Sequence, residues 1–171
     1  MARTGQPRRS RRPPARQSHP PARQPRIPTI PLVASSAFGG ALPAERVAEA
    51  IGRGLQTGGW PPPDLCPLQI EREDEHGALL GELRALALDA RIARARAIIL
   101  ACARLDEHTL AGSAVFEIAT RARQSGVPAC AITADNRLSP FDARLLDLQT
   151  ILTAGSARSL AGAGRRLAAL L

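Results

Sequence analysis

Arg104 and Asp106 stand just beyond the apolar run Ala97–Cys102 and just before an amphipathic stretch marked by Leu110, Val115 and Ile118. If the run is a strand and the stretch a helix, both side chains sit at a strand's carboxyl end, where α/β sheets bind their ligands. The guanidinium of Arg104 offers a planar fork for a phosphate or carboxylate, and Asp106 can take a proton or orient a hydroxyl. The same residues also read as a surface ion pair and a helix cap, because Asp106 and Thr109 are ordinary capping types. A second place to look is Ser35–Leu42, a loop of small residues between an apolar run and a helix start. Its N–H groups, reinforced by the helix dipole, can hold an anion. Its spacing matches neither G-x-x-x-x-G-K-[ST] nor G-x-G-x-x-G, so a plain tight turn stays open as well.

Metal chemistry finds little support. Cys66, Cys102 and Cys130 are widely spaced with no C-x-x-C pair, and His19, His76 and His108 are isolated. Neither a disulfide framework nor a structural zinc site is indicated, and the thiols read as reduced, small apolar core residues.

The elements that must position these residues alternate along the chain. Ile30–Ala34 is a short apolar run, and Pro43 suits the first residue of a helix whose Val47, Ala50, Ile51 and Leu55 share a face until Gly58-Gly59. Asp64–Leu68 is expected as a second strand, at an edge because of Pro67. Residues 71–76 form a polar connection. Leu79, Leu83, Leu86 and Ile92 predict one helix, Ala97–Cys102 a strand, and Leu110 to about Gly126 a helix. Val127–Thr133 is a strand, Pro140–Leu146 a short helix, Gln149–Thr153 a strand, and the end of the chain a helix through Leu160, Leu167 and Leu170. Strands that are apolar throughout, alternating with helices, predict a doubly wound parallel sheet covered on both faces, an α/β fold in a single domain.

The formal net charge of +8 has an uneven origin. Residues 1–28 hold eight arginines, seven prolines and no acid, including the repeat P-P-A-R-Q at 13–17 and 20–24; the remainder is neutral. With almost nothing apolar to bury, this tail is expected to be disordered. Any nucleic-acid contact is expected to be non-specific and confined to residues 3–26. The 2% aromatic content leaves no base-stacking platform. No window approaches a membrane span, so no membrane partner and a cytoplasmic location are expected.

The stretch L-V-A-S-S-A-F-G-G-A-L-P-A-E-R-V-A-E-A-I-G-R-G-L (32–55) resembles the N-terminus of the type I glycerate kinase family, whose pattern reads A-P-D-S-F-K-G-S-L-S-A followed by V-A-E-A-I. In the same order, I-L-A-C-A-R-L-D-E-H-T-L-A-G-S-A (99–114) resembles that family's T-G-E-G-R-L-D-x-Q-T-L-x-G-K-A. The resemblance implies a flavodoxin-like domain over residues 29–171, with 29–70 and 78–171 matching the family's two terminal segments. It also implies ATP-dependent phosphorylation of D-glycerate with Mg²⁺. Asp106 and Arg104 would be the catalytic residues, and Ser36, Ala37, Gly39, Gly40, Thr109 and Ser113 would line the substrate.

The departures fall on charge. Ser36 replaces the family's Asp, Ala37 its Ser, Gly39 its Lys, Ala101, Cys102 and Ala103 its Gly-Glu-Gly, and Ser113 a second Lys. The family's large inserted domain is missing between the two segments. The expectation is therefore a family member with weak or lost activity, with ATP and Mg²⁺ as cofactors only if activity survives. A separately encoded partner domain could supply the missing part. The alternatives are a non-catalytic module binding a small anion or a nucleotide, and a basic-tail nucleic-acid binder.

Overall fold

A computed structural model of the chain describes residues 30–70 and 76–171, together with Met1. The expected tail and the acidic connection at 71–75 lie outside the described residues. Five strands, β1 (Ile30–Ser35), β2 (Asp64–Pro67), β3 (Ala95–Leu105), β4 (Ala129–Asn136) and β5 (Leu148–Thr153), form one parallel sheet in the order β2-β1-β3-β4-β5. That order is the flavodoxin-like one, and it puts the topological switch point between β1 and β3. Six helices cover the sheet: α1 (Ala44–Thr57), α2 (His76–Ala85), α3 (Leu88–Ile92), α4 (Ala114–Gln124), α5 (Pro140–Leu145) and α6 (Ala157–Leu170).

The apolar strands divide their side chains between two cores. Leu32, Ile98, Leu100 and Ala131 pack against α2, α3 and α4 through Leu79, Leu83, Ile92 and Ile118. Val33, Ile99, Cys130 and Ile132 point the other way, onto Val47, Ile51, Leu55, Leu160 and Leu167 of α1 and α6. Successive strand residues face opposite sides, so a strand buried on both must be apolar throughout. α1 and α6 touch at backbone distance: a Cβ on Gly54 would lie 2.0 Å from the Ala161 carbonyl oxygen, and one on Gly164 would lie 2.4 Å from that of Ile51. Only glycine permits this approach.

The edge strand β2 is fastened by α3. Arg91 donates from Nε to Asp64 Oδ2 at 2.9 Å and from Nη2 to Asp64 Oδ1 and the Leu65 carbonyl at 2.6 Å each. The other edge, β5, is thinly covered, because α5 leaves Phe141 and Leu145 exposed.

Two expectations change in detail. The helix predicted across Leu79–Ile92 is broken into α2 and α3 at Ala87, which adopts φ 50°. No glycine or proline marks that break, so periodicity alone runs through it. β3 extends to Leu105 and β4 to Asn136, beyond the predicted Cys102 and Thr133, because the two strands keep pairing at Arg104↔Asp135 and Leu105↔Asn136. Polar residues hide this extension from an apolar-run criterion.

Candidate functional site

The two candidate loops are brought together at the switch point. Ser36 donates its backbone N–H to the Ala101 carbonyl at 2.8 Å, so the loop after β1 leaves the sheet directly beside the carboxyl end of β3. The buried Ser35 hydroxyl donates to the Ala44 carbonyl at 2.9 Å and ties the loop to the start of α1. Phe38 anchors the middle, its ring buried in the α1–α6 core and its N–H bonded to the Leu42 carbonyl at 2.8 Å. Between these anchors Ala37 is half-buried, whereas Gly39 and Gly40 are exposed. Gly39 has φ +65°, a conformation that explains glycine here: any side chain would be strained even though space is open.

The second loop is held by capping. Asp106 Oδ1 accepts from the His108 N–H at 3.1 Å, and the Asp106 N–H donates to Thr109 Oγ1 at 3.0 Å, a reciprocal box that starts the 3₁₀ turn Glu107–Leu110. Ser113 donates to the Thr109 carbonyl at 2.8 Å and accepts from the Phe116 N–H at 3.2 Å, which makes it the cap of α4. Thr109 is buried beneath the turn. Asp106, Thr109 and Ser113 thus satisfy donors and acceptors that the chain reversal would otherwise leave open.

Arg104 is engaged across the sheet. Its Nε donates to Asp135 Oδ2 at 3.1 Å, and Arg137 Nε donates to the same oxygen at 2.8 Å. The Thr133 hydroxyl lies 3.2 Å from both the Ala103 and Asp135 carbonyls and stiffens the β4 end beneath this cluster. Asp135 and Arg137 were not singled out from sequence. Their signal was available: A-D-N-R-L-S-P follows an apolar strand just as A-R-L-D follows another. Two guanidiniums on one carboxylate leave a net positive charge at the carboxyl ends of β3 and β4.

A magnesium–ATP site does not fit these side chains. Among the described residues no three His, Cys, Asp or Glu side chains are grouped to hold a metal. Asp106 offers a carboxylate already serving as a cap, and Asp135 is neutralised by two arginines. All 23 basic residues of the chain are arginine, so no lysine is present to face a transferring phosphoryl group. A cavity of about 360 Å³ lies at the opposite pole, between Ile30, Pro62, Pro63, Arg91 and Arg94 at the amino ends of β1 and β3. The predicted residues and this concavity therefore do not coincide.

The strand order and the juxtaposed loops define a doubly wound, flavodoxin-like α/β domain with its candidate site at the β1/β3 switch point. Residues 81–160, from within α2 to the start of α6, match the model of the glycerate kinase family. The match includes Arg104, Asp106, Thr109, Ser113, Asp135 and Arg137; the loop after β1 lies outside it. No curated protein matches the sequence. Among solved structures, a diflavin flavoprotein A3 from Nostoc sp. is similar at 16% identity, covering 82% of this chain and 91% of that one with a TM-score of 0.46. Among the described residues no helix is long and apolar enough to cross a membrane.

Proposed function

We propose that the chain is a reduced glycerate kinase-family domain in which phosphorylation of D-glycerate is weak or lost and weak binding of a small anion is retained. The observation that carries this reading is the commitment of Asp106: its carboxylate caps the turn after β3, while Arg104 is held by Asp135. Each is engaged in the fold, Asp106 through Oδ1 and Arg104 through Nε, which weakens the role in phosphoryl transfer that the family resemblance assigns to it and leaves the other Arg104 N–H groups for an anion. Preorganised charge is the main resource of such a reaction, and losing two contacts of ~3 kcal/mol each slows it by about four orders of magnitude. The anion site would comprise Arg104 and the amides of the loop bearing Ala37, Gly39 and Gly40, beside Ser36 and the capping residues Thr109 and Ser113.

A coupled assay of the full chain with ATP, Mg²⁺ and D-glycerate tests the first half. Turnover near ~1 s⁻¹, within the usual kinase range, would overturn it. The second half is tested by titrating inorganic phosphate and following backbone amide shifts, where Arg104→Ala should abolish the response of residues 36–41. If adding a separately encoded domain restores turnover, the chain is half of a split enzyme and the reading of lost activity fails.

A further inference from the structure

The described charges are segregated along the strand direction. In a parallel doubly wound sheet every helix runs back toward the strands' amino ends, so basic residues in last turns gather there. Complementing the helix dipole accounts for Arg84, Arg91, Arg121 and Arg144 in this way. It does not account for Arg94 and Arg96 at the entry to β3, nor for Arg165 and Arg166 in α6, whose last turn has no basic residue. All four are exposed.

Arg94 and Arg96 stand at the amino end of β3, and Arg165 and Arg166 lie in the second half of α6, which runs back toward that end. The Arg96 guanidinium sits 4.8 Å from the Trp60 ring centroid and donates to the Leu171 carbonyl at 3.2 Å. Trp60 Nε1 donates to the Ala168 carbonyl at 2.9 Å, joining the same patch to the end of α6. A Cβ on Gly58 would lie 3.2 Å from the Arg165 carbonyl, so the end of α1 packs on the backbone of α6 at this level. Arg94 lines the cavity beside Ile30. Of the carboxylates at this end, Asp64 pairs with Arg91, Asp89 pairs with Arg121 and Asp147 stands exposed just ahead of β5; among the described residues none of them pairs with Arg94, Arg165 or Arg166, and Arg96 is bonded to the Leu171 oxygen. The sequence that enters the domain at Ile30, on this same end, carries the eight arginines of residues 1–28.

We infer that the amino-terminal end of the sheet, centred on Arg94, Arg96, Arg165 and Arg166, binds the phosphate backbone of a nucleic-acid duplex without sequence specificity. Guanidiniums recognise phosphate bidentately, and their excess over carboxylates at this end supplies the counterion-release term that drives such binding. A duplex fits better than a single strand. The sole tryptophan is already covered by Arg96 and bonded through its indole N–H, so bases find no stacking surface. The contact extends the expectation for residues 3–26 onto the folded domain, and it is separate from the site at the carboxyl ends.

The test is fluorescence anisotropy of a labelled DNA duplex of about 20 base pairs titrated with the full chain across 50–200 mM salt, a range over which such binding weakens steeply. Binding at low salt is expected, with log K falling linearly against log salt. The triple variant R94A/R165A/R166A, whose changes are all exposed, should bind at least tenfold more weakly at low salt and show a slope shallower by ~2.7, at ~0.9 per phosphate contact. The variant R46A/R158A, altered at the other end, should keep the wild-type slope. No binding at 50 mM salt overturns the proposal, as does a wild-type slope in the triple variant, which would assign the binding to residues 1–28 alone. Tighter binding to phosphatidylserine vesicles than to the duplex at equal salt would overturn the choice of partner.

Discussion

Arg104 on β3 and Asp135 on β4 are register partners, and the Arg104 Nε donates to Asp135 Oδ2 at 3.1 Å, so the arginine assigned to anion recognition is restrained by a carboxylate on the next strand. Both side chains are well exposed, at 55% and 38%, and a pair of this kind contributes ~0–1 kcal/mol to stability. Asp135→Asn should therefore barely move the urea midpoint. It should tighten phosphate binding on the order of fivefold, the equivalent of ~1 kcal/mol, because Arg104 and Arg137 both lose their competing partner. An amide-shift titration with phosphate measures this, and equal or weaker affinity in the variant would show that the two guanidiniums do not bind the anion.

The contact between α1 and α6 makes an opposed pair of stability predictions. Gly54→Ala places a methyl 2.0 Å from the Ala161 carbonyl oxygen, so the helices must separate, at a cost of ~1–3 kcal/mol or more. Gly162→Ala, beside Ala161 in the sequence but with open space where its methyl would stand, meets nothing within 4 Å and should gain up to ~1 kcal/mol from helix propensity. Urea unfolding of the two variants decides the matter; equal shifts in either direction would mean that the helices do not approach through Gly54.

Alkaline stability should be governed by thiols. The chain has no tyrosine and no lysine, and burial raises the thiols of Cys66 and Cys130 above the ordinary value of 9.0. Above that value the unfolded chain releases protons that the folded chain retains, so ν_U is smaller than ν_N and stability falls as pH rises. The contribution is fully present below pH 9.0 and is lost between there and the raised folded values. Urea midpoints measured from pH 7 to 10.5 should fall above ~9, and Cys130→Ala should make the fall shallower. A flat profile would place the thiols in contact with solvent.

The parallel sheet was legible because a two-sided core leaves a plain mark: Ile30–Ala34 and Ala97–Cys102 are apolar without alternation. The juxtaposition of the Ser36 and Arg104 loops followed from strand order. The place of Asp135 and Arg137 after an apolar run was legible, but their pairing with Arg104 was not, because it depends on a cross-strand register that no local pattern states. The break at Ala87 was missed for the converse reason: a non-glycine residue at φ 50° carries no signature of its own in the sequence. For Asp106 the sequence left a choice between a cap and a chemical group, and the hydrogen bonds show the cap.

That choice can be tested directly at Asp106. Its Oδ1 accepts from the His108 N–H, a role that asparagine fills as well as aspartate and alanine cannot fill. Asp106→Asn should leave the urea midpoint within ~0.5 kcal/mol of wild type, whereas Asp106→Ala should lose ~1 kcal/mol, within the range for cap removal. Phosphate binding in Asp106→Asn should be no weaker than in the native chain, since only a negative charge has been removed near Arg104. If Asp106→Asn instead destabilises the fold as much as Asp106→Ala does, the carboxylate charge is what the turn requires. Asp106 would then act on the dipoles of the 3₁₀ turn, and the capping hydrogen bond would be incidental.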